Sequence, residues 1–430
     1  MSSFTAGAKR VFSIVLLAAP VGAFQVVHVV QPGVPAAIQI AVDAAADGDV
    51  VLVRAGSYGP VRVTNKALSI VADPTGGARV ASLTIDGLAA AKTCSVQGVV
   101  TTDFELPERA SIRVLACAGQ VLFEDVRSQF ATATAAQAAF VAGSSGVTFS
   151  RCTLEGSTQQ PPFNQFPDPA GRGLTVAASQ VAAYGCTIRG APGRSTVFAS
   201  GAMFQGGHGA AGVQVSDVSS VFFASGTTIR GGAGGYGVGQ LCSPYVGPTP
   251  GFNGAAGVLA AGTTVLRDCD VTGGLGGLGG FCMNCQGWPP PPPDCHAAHG
   301  TPAAPIVGNA TVLATPRVDL EAPGHVREGT TLPIGVRGPV GSTALLAVST
   351  SWRWSFMLAM GGTLHSGLPT RRLPLGIVPA GGLLLTSLPI PALAPGVPFQ
   401  RSYVQLFARD ASGVVSTGTP IELLILDSSF

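Results

Sequence analysis

Charged side chains are scarce in this chain. Asp, Glu, Lys and Arg make up 11% of its 430 residues, well below the roughly 25% of an ordinary soluble domain. The 24 basic and 22 acidic residues almost balance, the net charge is +2, and the basic residues are scattered. Because nucleic-acid-binding proteins usually carry a clustered basic patch, we expect no nucleic-acid partner.

Apolar runs long enough to cross a membrane are also missing. The run at residues 11–20 falls short of the roughly 20 residues that a spanning helix needs. It follows Lys9-Arg10 and precedes the small residues Val21-Gly22-Ala23, which is the order of a signal peptide. We expect residues 1–23 to be cleaved and the mature chain, from Phe24, to lack a transmembrane segment. It would be exported to the periplasm, the cell surface or the medium.

Glycine and proline are abundant, with 59 and 33 residues. Such a composition can indicate disorder, but β-branched residues recur regularly along this chain, and disordered segments are poor in them. Many short strands joined by many turns are the better interpretation. The nine cysteines fit an exported protein, in which thiols usually pair.

The first mature segment has an ordered pattern. Residues 35–46 predict a short helix with Ile38, Val42 and Ala45 on one face, and short strands separated by turns follow. The ordered set is Ile38-Gln39, Ala41-Val42-Asp43-Ala44-Ala45, Gly48-Asp49, Val51, Val53, Gly56 and Tyr58. It resembles the opening of right-handed parallel β-helix proteins of the pectin-lyase-like superfamily. The resemblance implies that the helix caps the first coil of a solenoid, whose open end needs a cover.

A repeated unit supports the same architecture. Its copies are Leu154-Glu155-Gly156, Ile188-Arg189-Gly190, Ile229-Arg230-Gly231 and Val271-Thr272-Gly273, with Val126-Arg127-Ser128 as a weaker copy. The copies begin 34, 41 and 42 residues apart, and periods of about 20 to 50 residues indicate stacked repeats. Glycine-rich insertions follow each unit at about 157–171, 191–210, 232–255 and 274–300. They should stack along one edge of the solenoid, either as a compact layer or as loose loops.

The pattern changes toward the C-terminus. Residues 24–305 are assigned to the β-helix, 306–316 to a linker or last coil, and 317–430 to a β-sandwich. Strand-like runs occur at 331–337, 343–349, 373–378, 382–388, 402–408 and 421–426. Several short strands without helices are typical of an immunoglobulin- or fibronectin-like sandwich. The predicted fold class is therefore all-β, a right-handed parallel β-helix with a capping helix and a C-terminal sandwich.

Aligning the repeats predicts which side chains share a column. Leu154, Ile188, Ile229 and Val271 should point inward, and so should Cys152, Cys186, Thr227 and Cys269 two residues earlier. A stack of buried free thiols is favoured there over disulfides or reactive groups. Two outward columns should hold Asp125, Thr153, Thr187, Thr228 and Asp270, and Arg127, Glu155, Arg189, Arg230 and Thr272.

The strongest surface feature is the pair Arg189 and Arg230, which should be neighbours beside the insertions. Many members of the resembled superfamily bind or cut acidic polysaccharides, which implies that this pair could hold a uronate carboxylate. Arg189, Arg230, Glu155 and Asp270 are therefore weak catalytic candidates. The plainer interpretation is a solvated edge with Glu155 as counterion. Asp268 and Asp270 form the closest carboxylate pair and should lie two residues apart on one strand, sharing a face, but the acidic motifs of glycosidases of this fold are absent.

Two further groups could have a role. Trp352 and Trp354 alternate, so both could stack on sugar rings, although filling the sandwich core is the favoured interpretation. Cys242, Cys282, Cys285 and Cys295 are disulfide candidates that could staple adjacent glycine loops. Cys282, Cys285, Cys295 and His296 could instead hold zinc. Disulfides are favoured, so no metal or cofactor is expected.

Two functions follow as hypotheses. The first is an exported scaffold or binding protein with no identifiable catalytic motif, whose partner could be a polysaccharide or a cell-surface component. The alternative is a carbohydrate-active enzyme, foremost a lyase acting on an acidic polysaccharide, or otherwise a glycoside hydrolase. The discriminating feature is whether Arg189, Arg230, Glu155 and Asp270 line one groove.

Overall fold

The computed structural model describes residues 25–106, 109–130, 136–158, 170–199, 202–204, 206–238, 248–280, 297–357, 362–367 and 370–430. The fold is all-β apart from one short helix, α1 (Ala37–Ala44), and the predicted fold class is confirmed. Within these residues no helix has the length and hydrophobicity needed to span a membrane.

The N-terminal part is a parallel β-helix. Its strands are β1 (Val27–Val30), β2 (Val50–Tyr58), β3 (Val61–Thr64), β4 (Ser69–Val80), β5 (Leu83–Asp86), β6 (Thr93–Gln97), β7 (Val99–Thr101), β8 (Ala110–Leu115), β9 (Gln120–Glu124), β10 (Arg127–Ser128), β11 (Gln137–Ala142), β12 (Val147–Ser150), β13 (Thr153–Glu155), β14 (Leu174–Ala177), β15 (Gln180–Tyr184), β16 (Thr187–Arg189), β17 (Val197–Ala199), β18 (Ala202–Phe204), β19 (Val213–Val215), β20 (Val221–Ser225), β21 (Thr228–Arg230), β22 (Val258–Arg267), β23 (Asp270–Thr272) and β24 (Ile306–Leu313). All of them belong to one parallel ladder except β17 and β18, which form a separate antiparallel pair.

Each rung contributes one strand to each of three faces. The covered sheet contains β6, β9, β12, β15 and β20, the second sheet contains β7, β10, β13, β16, β21 and β23, and the third sheet contains β5, β8, β11, β14 and β19. The long strands β2, β4, β22 and β24 bend and serve two faces.

Inward side chains form columns along the solenoid axis. Leu154, Ile188, Ile229 and Val271 are register partners, as predicted, and the first three are fully buried. The N-terminal end of this core is covered by α1, whose Ile38 and Val42 are buried against it. The predicted capping helix is therefore present, and its apolar face closes the first rung.

The corner between the covered and the second sheet requires a left-handed backbone. Successive rungs place Gly98, Asp125, Arg151, Gly185, Gly226 and Asp268 there, all with φ between 48° and 67°. Glycine adopts this conformation without steric cost. Two predictions are corrected here. Asp125 is a corner residue and not part of an outward column. Asp268 lies at the corner after β22, so it shares no strand with Asp270.

The C-terminal part consists mainly of antiparallel sheets. Its strands are β25 (Asp319–Glu321), β26 (His325–Arg327), β27 (Thr331–Arg337), β28 (Thr343–Ser349), β29 (Trp352–Met357), β30 (Gly362–Ser366), β31 (Thr370–Ile377), β32 (Leu383–Pro389), β33 (Phe399–Arg409) and β34 (Val415–Leu426). Sheet β25-β27-β32 faces sheet β26-β34-β33-β28-β31 across a buried apolar layer. This is the predicted sandwich, and β29 and β30 add a hairpin.

The sandwich lies along the covered sheet of the β-helix. Two outward columns of that sheet are buried in every rung from β2 to β22, namely Val50, Ser69, Ser95, Leu122, Thr148, Ala182, Phe223 and Val265, and Leu52, Val71, Gln97, Glu124, Ser150, Tyr184, Ser225 and Arg267. Phe399, Leu424 and Leu426 pack on this sheet at its N-terminal end. The sandwich is therefore a lateral cover and does not extend the solenoid.

Candidate functional site

The second sheet carries the charged residues that the sequence singles out. Its outward columns are Thr153, Thr187, Thr228 and Asp270, and Glu155, Arg189, Arg230 and Thr272. Arg189 and Arg230 are register partners, so they lie about 5 Å apart at strand spacing. Arg127 does not join them, because it pairs with Thr153, which shifts that rung by two residues from the predicted alignment.

Each arginine is paired with a carboxylate on an open face. Arg189 Nη1 lies 3.1 Å from Glu155 Oε1, and Arg230 Nη2 lies 3.6 Å from Asp270 Oδ2. All four side chains are about half exposed. Exposed ion pairs of this kind contribute at most about 1 kcal/mol to stability. The structure thus brings the four candidates onto one surface, as solvated ion pairs.

The glycine insertions continue this surface as two stacked layers. The outgoing segments, 190–196, 231–238 and 273–280, prolong the strands of the second sheet, and the returning segments are 206–212, 248–257 and 297–304. Neighbouring outgoing segments are hydrogen-bonded, as when Gly193 N donates to Ala233 O and Gly234 N donates to Leu275 O. The layers are joined as well, as when Gly235 N donates to Gly207 O. Of the two alternatives, the compact stacked layer is the one observed.

The two layers have a three-residue period. Gly231, Gly234 and Gly237 donate in turn to Thr272, Leu275 and Leu278 of the next outgoing segment. Three residues per turn is the period of polyproline II helices, and such helices pack closely only where glycine faces the neighbour. A methyl group on Gly232, Gly235 or Gly274 would overlap a backbone carbonyl oxygen of another segment. The glycines are therefore required by packing.

The remaining positions of the outgoing segments form an outer face, defined here by Pro192, Tyr236, Leu275 and Leu278. Tyr236 is 57% exposed, Leu275 71% and Leu278 60%. Gly237 N donates to Leu278 O, so Tyr236 and Leu278 lie at the same level of adjacent segments. This apolar outer face continues directly from the Arg189 and Arg230 columns. Exposed apolar patches of this kind often mark interaction sites.

Sequence reasoning did not identify Tyr236, Leu275 and Leu278 as surface candidates. The signal was present in the repeated Gly-Gly-X triplets at 231–236 and 273–278. A period of three with two glycines leaves one side chain per turn, and that side chain must point away from the packed layers. The glycine content alone was read as a turn and loop signal, which hid this period.

The tryptophans occupy a different environment from a sugar platform. Trp352 is buried against Leu122 of the covered sheet and Tyr403 of the sandwich. An irregularity between Trp352 and Ser355 breaks the alternation on which the prediction of a shared face depended. Trp352 therefore packs between the β-helix and the sandwich. Trp354 is only partly exposed.

The inward thiols are free, and Cys152, Cys186 and Cys269 form the predicted internal stack together with Thr227. Cys94 is paired with Val121 and lies in a different column. Cys94, Cys117, Cys152 and Cys186 are buried, and Cys269 is partly buried. Burial raises the pKa of Cys94 to about 12, and burial together with the neighbouring Cys186 raises the pKa of Cys152. Thiolates are the reactive form of cysteine, so these groups are structural. Cys242, Cys282, Cys285, Cys295 and His296 lie outside the described residues. Among the residues that the structure describes, no cluster of metal ligands occurs.

We expect the thiols of Cys94, Cys117 and Cys152 to resist alkylation in the folded protein, because burial both blocks access and raises their pKa values. Peptide mapping after iodoacetamide treatment at mildly alkaline pH, with and without denaturant, measures this. Labelling of these three residues at equal rates in both conditions would contradict their burial.

Ionisable groups are buried beneath the sandwich. Arg151 contacts Glu124, which is fully buried, and Asp125 at 2.8 Å. The backbone N–H of Glu422 donates to Glu124 Oε2 at 3.3 Å, and Glu422 itself pairs with Arg401 at 2.8 Å. Because burial outweighs the attraction of Arg151, the pKa of Glu124 rises to about 7. The sandwich covers these groups, so they do not form an open site. Their charge states instead affect how stably the sandwich packs on the β-helix.

Comparisons with known proteins leave the function open. No protein family matches the chain, and no curated protein matches it either. Among solved structures, the superoxide reductase (neelaredoxin) from Ignicoccus hospitalis matches at 13% identity, covering 26% of this chain and 81% of that protein, with a TM-score of 0.17. That likeness is too low to carry an argument about this protein.

Proposed function

We propose that this protein is an exported, non-catalytic scaffold and binding protein, related to the pectin-lyase-like superfamily, and that it binds an extended polymer such as a polysaccharide on its outer face. The observation that carries the proposal is the exposure of Tyr236, Leu275 and Leu278 on a layer whose backbone is fixed by glycine packing. The signal-peptide pattern of residues 1–23 supports export.

The geometry of the outer face suits a long ligand better than a small one. Side chains recur about every 9 Å along each outgoing segment, since three residues of a polyproline II helix rise about 3.1 Å each. Tyr236 offers an aromatic ring. Arg189 and Arg230 offer guanidinium groups on the same surface, two levels away, because Arg230 precedes Tyr236 by six residues or about 19 Å. A chain with apolar sugar faces and scattered carboxylates would meet both kinds of group.

We expect Tyr236→Ala to weaken polysaccharide binding by at least about tenfold, because aromatic anchors dominate many binding surfaces. The double variant Arg189→Ala, Arg230→Ala should reduce the preference for acidic over neutral polymers. Binding of the mature chain, residues 24–430, to a panel of acidic and neutral polysaccharides is measured by biolayer interferometry. Val218→Ala, at a site 85% exposed outside the outer face, is the matched control.

The same panel tests the lyase alternative. Unsaturated products released from an acidic polymer, with or without calcium, would contradict the non-catalytic proposal and make Arg189 and Arg230 catalytic candidates. Polysaccharide binding that is unchanged in both variants would place the ligand elsewhere. The open, ion-paired setting of the two arginines offers no support for the enzyme, so the lyase stays a prediction from the resemblance alone.

A further inference from the structure

The C-terminal end of the β-helix presents an unpaired strand edge. β24 pairs with β22 along one edge, and no strand among the described residues pairs with the other. The sandwich covers the side of the solenoid, and none of its described strands pairs with this edge. An exposed edge of eight residues presents a row of backbone groups that can accept another strand.

The hydrophobic core is open at the same end. Val312 continues the inward column of Leu266, and Ile306 continues that of Val258. Leu266 is 1% exposed, whereas Val312, one rung later, is 67% exposed. Val271, which ends the column of Ile229, is also only partly buried. These side chains point into the core, and no further rung packs against them in the part of the chain that the structure describes.

The strand at this end lacks the charges that usually protect an edge. Natural solenoids carry terminal repeats with a polar outer face, and natural sheet edges carry charges, most often lysine. Residues 305–313 contain no Asp, Glu, Lys or Arg, and Val307 is also exposed. No charge on the strand would oppose the approach of an identical surface.

The other end of the solenoid is closed. α1 covers the first rung with Ile38 and Val42, both 1% exposed. Among the described residues, each molecule therefore has one open end, and the outline of this end is the cross-section of the solenoid. A second copy carries an apolar surface of the same outline, so contact between two such ends continues the rung-on-rung packing inside each molecule.

We propose that two copies of this chain associate through their open ends into a closed dimer, with β24 of one copy antiparallel to β24 of the other. Contact between identical ends requires a two-fold axis perpendicular to the solenoid axis. When this axis is also perpendicular to β24, it reverses the strand direction and keeps the inward side chains of both strands on the same side. Because the first rung is capped, the assembly stops at two copies. The buried surface would include Val312, Val307 and Ile306 of both molecules.

Sedimentation velocity of the mature chain over a wide range of concentration tests this inference. We expect a species of twice the chain mass, and Val312→Lys should raise its dissociation constant at least about tenfold, because an unpaired ammonium group would be buried. Val312 is exposed in the single molecule, so the variant should fold, which circular dichroism checks. Val218→Lys should dimerise like the wild type.

Three results would overturn the proposal. They are a monomer at every concentration, a dimer as tight in Val312→Lys as in the wild type, and open-ended growth beyond two copies. None of these measurements involves polysaccharide, so the outcome is independent of the proposed ligand.

Discussion

Gly235→Ala is expected to destabilise the protein by more than about 3 kcal/mol or to prevent its folding. The added methyl group would overlap the carbonyl oxygen of Arg194 in the neighbouring outgoing segment. This oxygen accepts a hydrogen bond from Gly207 N, and Gly193 N and Thr196 N donate to the segment that contains Gly235. The backbone therefore cannot move away as a flexible side chain would, so the overlap becomes strain. Chemical unfolding followed by circular dichroism measures the loss.

The same layers supply the matched control. Gly207 accepts the hydrogen bond of Gly235 N, yet a methyl group on it would meet nothing closer than 3.9 Å. Gly207→Ala should therefore fold with nearly wild-type stability. Gly381→Ala, at a site with open space around it, should be neutral or stabilise by up to about 1 kcal/mol. Equal stability of Gly235→Ala and Gly207→Ala would mean that the layers are not packed as described.

Glu124 is expected to make the folded protein less stable as the pH rises from about 4.5 to about 7. Its pKa is raised from 4.5 to about 7 in the folded state because it is buried beneath the sandwich. Between these values the folded chain keeps a proton that the unfolded chain has lost, so stability falls with rising pH and then levels off. The loss is on the order of 3 kcal/mol, since one pH unit of pKa difference corresponds to about 1.4 kcal/mol.

Glu124→Gln should remove this part of the pH dependence. Glutamine keeps an acceptor for the Glu422 N–H and has no proton to lose, while Arg151 retains Asp125. Urea unfolding of both proteins across this pH range gives the difference directly, which cancels other titrating groups such as His325. Asp410→Asn is the control, because hydrogen bonds from Ser412 and the backbone lower the pKa of this exposed carboxyl below the window. Parallel curves for wild type and Glu124→Gln would exclude the assignment.

The rung pattern could be read from the sequence because it is local. The inward residues of β13, β16, β21 and β23 keep the same position within each repeat, so aligning them places Arg189 beside Arg230 correctly. The capping helix and the strands β27 and β28 could also be predicted, because each has a short apolar repeat within its own sequence. Both strands have the predicted bounds. Alignment failed at Arg127, where the corner residue Asp125 was taken for a strand residue.

The glycine layers were only half predictable. Equivalent positions in successive repeats indicated that the insertions stack, and the structure bears this out for the described segments. Their conformation depends on hydrogen bonds between segments some 40 residues apart, such as Gly193 to Ala233. Composition indicates that glycine is needed, whereas the partner that makes it necessary is seen only in the folded chain.

The sequence by itself determined the elements of this protein, because inward and outward alternation within each rung depends on near neighbours. Only the tertiary structure decided that the sandwich lies along the β-helix, that Trp352 and Glu124 are buried between them, and that no described strand pairs with the second edge of β24. Ser69 donates a hydrogen bond to Glu422 across 353 residues of sequence. A hydrophobic pattern predicts that a side chain is buried, but the surface that buries it is set by packing between distant segments.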